Sequence, residues 1–382
     1  MKIEVSVKET SARIKCGEFP EIVFQTNKKI IQDRYDFVIW AILPIAMRKG
    51  GIIDCDFSIS KETLNSAKKI SQIWSSWLPE IYSLPIFSSI KVVSSKPSDK
   101  KNAFFFSGGI DSTYSALRLK EDGIESDAIT IHGMDYRYED NEKFNKLIEQ
   151  TNKFRRENFN SSVIVKTNLY TIYAKVGCNP FDGHITHIFS LFASGSLFDS
   201  YKNYFIAADY RLDQQYEAHP YGSNTATNSL MLNGSGALIT RDDDVTRSFK
   251  VGYLGSNNID LSSISICTNY KFRPKNCGLC EKCIRSKVMF YAKTGTVPEI
   301  FQDKHIPEEW YLTIDVKKKI QSVFMADVLD SISRSELKEK LNYNMAYKYW
   351  REAAVNRRLE VRKLKNLIQK LVEKIKGKAD EK

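Results

Sequence analysis

Ala103-Phe104-Phe105-Phe106-Ser107-Gly108-Gly109-Ile110-Asp111-Ser112-Thr113 passes from an apolar run through a Ser-Gly-Gly turn into a polar helix start. The amphipathic run Tyr114, Leu117, Leu119 follows. Strand, glycine turn and helix N-terminus in that order make an anion site. The glycines let the backbone approach phosphate oxygens, and the unpaired N–H groups of the first helical turn point at them. Ser107, Ser112 and Thr113 add hydroxyl donors, and Asp111 can hold a Mg²⁺ that bridges phosphates. A Walker A loop would need a lysine that this stretch lacks. The competing reading makes SGG a hinge and Asp-Ser-Thr an ordinary helix N-cap. The setting between an apolar strand and an apolar-periodic helix favours phosphate binding.

Outward from the loop, residues 102 to about 300 alternate strand and helix. Strands are predicted at 102–106, 127–132, 162–167 and 203–208, and helices near 111–121, 140–157 and 184–200. Such alternation predicts an α/β fold, a parallel sheet covered on both faces with ligands at the carboxyl ends of its strands. Residues 1–100 read instead as an α+β domain of their own. Period-two runs at Lys2–Val7, Ala12–Cys16 and Glu21–Phe24 predict half-buried strands. An apolar helix over 36–49 is stopped by Gly50-Gly51, and Ser60 is placed to cap a helix carrying Leu64, Ala67, Ile70 and Ile73. Residues 301–382 are read as a basic helical extension. In it Val361, Leu364, Ile368, Leu371 and Ile375 form a short heptad stripe, suited to packing on the body, to a homodimer or to docking a partner.

Of seven cysteines, four stand at Cys267, Cys277, Cys280 and Cys283 in a C-x9-C-x2-C-x2-C pattern, while Cys16, Cys55 and Cys178 are scattered. Two-residue gaps around a glycine turn let one knuckle present several thiolates to a tetrahedral Zn²⁺. Four protein ligands leave no position for water, so the site is expected to be structural. An iron–sulfur cluster and redox-active thiols are the other readings. Clustered rather than paired cysteines point to a metal site in a reducing compartment, so a cytoplasmic protein is expected.

A hydrophobic fraction of 42% with 27% charged residues is that of a soluble globular protein. The most apolar window, 37–47, is too short to span a bilayer and contains Pro44. The N-terminus alternates polar and apolar residues, unlike a secretory signal. A net charge of +11 invites an acidic partner such as ATP, RNA or an acidic protein face, but much of the excess lies in the C-terminal tail.

The loop SGGIDS resembles the signature of the PP-loop ATP pyrophosphatases, which cleave ATP between its α- and β-phosphates and use AMP to activate a substrate oxygen. With the downstream Cys…CGLCEKC pattern, residues 102–295 resemble the 7-cyano-7-deazaguanine synthase (QueC-like) branch. The resemblance implies a doubly wound sheet of the adenine nucleotide alpha hydrolase type, with ATP, Mg²⁺ and Zn²⁺ as cofactors. It implies that Ser107, Gly108, Gly109, Ile110, Asp111, Ser112 and Thr113 bind the nucleotide. Asp209, in Ala207-Ala208-Asp209-Tyr210, stands where the family has an Asp-Tyr turn. Arg247, in Val245-Thr246-Arg247, stands where it usually has Leu-Ser-Lys. His132, in Ile131-His132-Gly133, follows the second strand, where the family usually carries Tyr-Gly-Gln. Ser107, Asp111, Ser112, Arg247 and Asp209 are thereby the expected catalytic group. Two segments depart from the family. His184-Ile185-Thr186-His187 replaces its Arg-Asn pair, and Glu217-Ala218-His219-Pro220-Tyr221-Gly222-Ser223 replaces Pro-Asp-Cys-Arg-Pro. These are the parts expected to touch the base, so the resemblance implies retained ATP chemistry with a changed acceptor, either a small molecule or protein-borne.

Among other candidates, His132, His184, His187 and His219 titrate near neutrality and suit a general base. Cys178 beside Gly177 has the chemistry of a nucleophile, although a lone cysteine usually fills space. Asp242-Asp243-Asp244 reads as a solvated turn. Two further functions compete: a PP-loop enzyme that thiolates or ligates tRNA, which would show steep salt dependence, and a nucleotide-binding partner subunit without turnover. No aromatic-rich basic groove motif supports nucleic acid as the favoured partner.

Overall fold

Strand β8 (Lys101–Phe105) lies in the interior of an eight-stranded sheet, and its aromatic run explains why. Phe104 and Phe106 face one side, where they stack on Phe159 at 5.9 Å and on Phe154 at 5.2 Å. Phe105 faces the other side and joins the largest apolar core. A strand buried on both faces needs helices above and below it.

The computed structural model describes residues 2–30, 33–94, 101–178, 185–218, 221–257 and 259–356. The chain opens with β1 (Ile3–Lys8), β2 (Ser11–Cys16) and β3 (Ile22–Thr26), then α1 (Asp36–Lys49), β4 (Ile52–Asp54), β5 (Ser58–Ser60), α2 (Lys61–Trp77), β6 (Ile86–Ser88) and β7 (Lys91–Val93). After β8 come α3 (Ile110–Glu121), β9 (Asp127–His132), α4 (Asn141–Asn158), β10 (Ser162–Thr167), α5 (Leu169–Val176), α6 (His187–Gly195) and β11 (Tyr201–Ala207). Then follow α7 (Leu212–Ala218), α8 (Thr225–Asn228), β12 (Ala237–Arg241), α9 (Arg247–Ser256), α10 (Glu281–Thr294) and α11 (Lys319–Ser333). Residues 343–356 are also helical.

The sheet runs β1-β2-β3-β10-β9-β8-β11-β12. From β10 to β12 all pairings are parallel, and β1, β2 and β3 continue the edge antiparallel, with Thr26 opposite Val165. The chain is therefore α/β, with a large, mostly parallel sheet. Connections leave β8 in opposite directions, to β9 on one side and later to β11 on the other. The crevice at the carboxyl end of β8 is thus the topological switch point where ligands bind in such sheets. Ser107 to Ser112 occupy that end.

The predicted strands and the helices at 36–49, 110–121 and 141–158 are present, and Ser60 caps α2 by accepting a hydrogen bond from the Thr63 N–H at 3.1 Å. The helix expected over 184–200 is shorter, because α6 runs only from His187 to Gly195 before the chain turns into β11. The first three strands extend the main sheet, whereas β4 with β6 and β5 with β7 form two separate two-stranded sheets, and α1 packs on α6 in a core shared with the main sheet. The reason is geometric: β10 would otherwise be an open edge, and β3 covers it. Residues 301–356 likewise do not stand apart, since Trp310, Ile314, Met325 and Leu329 pack with Cys267, Cys277 and Val288. The heptad stripe at 361–375, and with it the dimer or docking role, lies outside the described residues. Among the described residues no helix is long and apolar enough to cross a membrane.

Candidate functional site

A cavity of about 340 Å³ opens at the carboxyl ends of β8, β9 and β11. Its wall on one side is the loop. Gly108 adopts φ +76°, and a Cβ there would lie 3.1 Å from Thr151 Cγ2 on α4, so a side chain at this turn meets both backbone strain and a packed neighbour. The hydroxyls of Ser107 and Ser112 are 3.1 Å apart, and Ser112 Oγ donates to the Gly109 carbonyl at 3.2 Å. No side chain caps α3 at its Gly109 N-cap, which leaves the first-turn N–H groups for a ligand.

Opposite the loop, Arg247 opens α9 after Thr246, whose hydroxyl accepts the Phe249 N–H at 3.3 Å. The start of α9 is held by Asp327 of α11, which accepts from Ser248 N at 3.0 Å and Ser248 Oγ at 2.6 Å. Thus anchored, Arg247 donates Nε and Nη2 to Asp111 at 3.2 and 2.5 Å and lies 3.6 Å from Asp209. Lys250, one turn on, donates to the Ala208 carbonyl at 2.6 Å and stands 3.7 Å from Asp111. Burial pushes the Asp111 carboxyl up, but Arg247 and Lys250 beside it outweigh burial and hold it below the ordinary carboxylate range. Burial likewise opposes the Arg247 charge, and Asp111 and Asp209 more than restore it. Phe324 of α11 stacks beneath Arg247 with its ring centroid 4.5 Å from the guanidinium carbon.

A second polar group faces the same cavity. Tyr221 donates to Asp209 Oδ2 at 2.6 Å, and His187 Nε2 lies 2.6 Å from Ser223 Oγ. A Cβ at Gly222 would come within 2.3 Å of the Ile185 carbonyl oxygen, so only glycine lets the two segments meet. The two stretches that depart from the resembled family, 185–187 and 221–223, are therefore in contact with each other and open on one cavity. An apolar part of the wall is built by Ile129, Ile131, Met134, Leu147 and Leu191, while Asp135, Lys282 and Ser286 add further polar groups. A polar, charged end and an apolar end suit a ligand with the same division.

Of the expected residues, Ser107, Gly109, Ile110, Asp111, Ser112, Asp209 and Arg247 all line the cavity. Gly108 shapes the turn, and Thr113 is buried beneath it. His132 does not reach the cavity: its ring stacks on Phe144 at 4.3 Å, and Nε2 is 2.8 Å from the Arg137 carbonyl oxygen. Its strand position was legible, but alternation turns the side chain to the α4 face. His184 and His219 lie outside the described residues. Burial pushes the Cys178 thiol up to about 12, the reverse of an activated nucleophile. Asp243 accepts the Thr225 hydroxyl at 2.6 Å, and the turn is only partly solvated, because Asp242 and Asp243 are half-buried and Asp244 alone is exposed. Lys250 and Lys282 are not among the expected site residues, whereas His187 stands among the candidate bases and Tyr221 and Ser223 fall in the segment 217–223 expected to touch the base. The usable signal was the departure of two distant segments from one pattern.

The four cysteines converge. Sγ atoms of Cys267, Cys277, Cys280 and Cys283 all lie within 4.8 Å of one another, with 3.9 Å between Cys267 and Cys280 and 4.0 Å between Cys277 and Cys283. A tetrahedron with Zn–S bonds near 2.3 Å has edges of about 3.8 Å, so the group can hold a metal ion such as zinc. The N–H groups of Leu279 and Cys280 each lie 3.3 Å from Cys277 Sγ, a donor set suited to a thiolate.

Compared with known proteins, the chain significantly matches no protein-family model, no curated protein and no solved structure.

Proposed function

We propose that the chain is an ATP-dependent enzyme that forms AMP and pyrophosphate, a PP-loop ATP pyrophosphatase of the 7-cyano-7-deazaguanine synthase type with an altered acceptor. The observation that carries this reading is the loop Ser107–Ser112 at the switch point of the sheet, whose Asp111 is bound by Arg247, itself 3.6 Å from Asp209, with all three lining one cavity. The triphosphate would lie on the loop hydroxyls and the N-terminus of α3, and the adenosine against the apolar wall. Asp111 and Asp209 are the groups to hold Mg²⁺, which when bound neutralises phosphate charge. Arg247, fixed by Asp327 through α9 and by Phe324, would stabilise the charge that grows on the α-phosphate.

In the first step an acceptor oxygen attacks the α-phosphorus, the bond from that phosphorus to the bridging oxygen breaks, and pyrophosphate leaves with the electron pair. In the second a nitrogen nucleophile attacks the activated carbon and expels AMP, with its proton passing to a base. His187, paired with Ser223 and set beside Tyr221 and Asp209, is the base nearest the acceptor end. The four-cysteine cluster would hold Zn²⁺ with no open position, a structural role. The test is product identity with ATP, Mg²⁺ and cell extract fractionated for acceptors. AMP with pyrophosphate is expected, whereas ADP with orthophosphate, or no ATP binding, overturns the reading.

A further inference from the structure

Lys282 lies between two of the clustered cysteines, in the first turn of α10, whose N-cap is Cys280. It lines the cavity, as does Ser286 one turn later, while the neighbouring Cys283 is buried in the metal cluster. The surrounding cations have partners: Arg247 has Asp111 and Asp209, Lys250 has the Ala208 carbonyl and Asp111, and Arg285 has Glu281 at 3.1 Å. The Lys282 ammonium makes no hydrogen bond or ion pair among the described residues, although its carbonyl accepts the Ser286 hydroxyl at 2.7 Å. The Lys282 side chain is partly exposed on the cavity wall, where the charges of Arg247 and Arg285 oppose its own and Asp135 favours it, and an anion entering the cavity relieves that repulsion. The segment leading into the cluster contacts the loop, because Ser265, two residues before Cys267, donates its N–H to the Gly108 carbonyl at 2.8 Å.

We propose that Lys282 binds the β- and γ-phosphates of the nucleotide, and that the four-cysteine cluster fixes it there, so that metal and nucleotide occupancy stabilise each other. This rests on the reading of the loop as an ATP site. A polyanion is the ligand class because the loop opposite already offers hydroxyls and helix N–H groups, whereas a single carboxylate would leave most of these donors unmet. Loss of the metal frees the first turn of α10 and removes both Lys282 and the Ser265 contact. By linkage, nucleotide must then retard metal loss to the same degree.

The experiment uses the full zinc-loaded chain with ATP, inorganic pyrophosphate and AMP as probes in calorimetric titrations with Mg²⁺. Lys282→Met is expected to weaken ATP and pyrophosphate about tenfold, the loss of one charge-assisted contact, and to leave AMP unchanged. Lys282→Arg retains most of the affinity. ATP slows zinc transfer to a chelator in the wild type and not in Lys282→Met. Equal ATP affinity in Lys282→Met and wild type overturns the proposal while leaving the loop reading intact. Failure of the wild type to bind ATP overturns the loop reading itself, and this inference with it. If Lys282→Met loses zinc, Lys282→Arg decides: retained zinc and ATP affinity support the proposal, and retained zinc without ATP affinity overturns it.

Discussion

Asp111 receives both Nε and Nη2 of Arg247, a residue 136 positions later in the chain, at 3.2 and 2.5 Å. The pair joins the first turn of α3 to the first turn of α9 at the cavity wall, with side chains only 15% and 7% exposed. A forked guanidinium–carboxylate contact fixes direction as well as distance.

Removing one partner strands a buried charge. Arg247→Met is therefore expected to cost about 3–5 kcal/mol in urea unfolding, and the double variant Asp111→Asn/Arg247→Met much less. Because the folded Asp111 carboxyl titrates below its ordinary value, its contribution is complete above the free value near 4 and disappears as pH falls through the lower folded value. Wild type should then lose more stability than the double variant on acidification from about pH 5 to pH 3. Parallel acid profiles would refute this account of the pair.

Gly108 tests the loop without touching its hydroxyls. Alanine there pays for a positive φ, about 1–2 kcal/mol, and presses on Thr151 Cγ2. Gly108→Ala should shift the guanidinium midpoint modestly and weaken ATP–Mg²⁺ in titration calorimetry. Unchanged ATP affinity would remove the phosphates from this turn.

Metal removal should act on the lobe packed around the cysteines, because Cys267, Cys277 and Cys283 share a core with Trp310, Ile314 and Met325. One equivalent of zinc and a colourless protein are expected from metal analysis and absorbance. Cys277→Ser should lower the melting temperature by roughly 10 °C. Bound iron with visible absorption would replace zinc by a cluster.

On the proposed reading His187 and Ser223 serve the second step at the acceptor end, so Ser223→Ala and His187→Gln should leave ATP affinity unchanged and lower AMP release with acceptor and nitrogen donor by about 10²-fold or more. Tyr221→Phe removes a hydrogen bond from Asp209 and should act in the same direction. Equal loss of ATP binding in all three would merge the two ends of the cavity into one nucleotide site.

Sequence periodicity was sufficient wherever the controlling interactions are local. Alternation gave β1 to β3 and β8 to β11, the aromatic run gave a strand buried on both faces, and Ser60 capped α2 because its hydroxyl reaches only three residues. Cysteine spacing foretold the cluster because three of its ligands lie within one knuckle.

The chain by itself therefore determined the loop, the α/β alternation and the four-cysteine group, all features of neighbours along the backbone. Only the tertiary structure decided that β3 covers the edge of β10, that Arg247 meets Asp111, that 185–187 meets 221–223, and that Lys282 lines the same cavity as Ser107–Ser112. Those choices depend on which distant faces bury each other, and no local period in the sequence carries them.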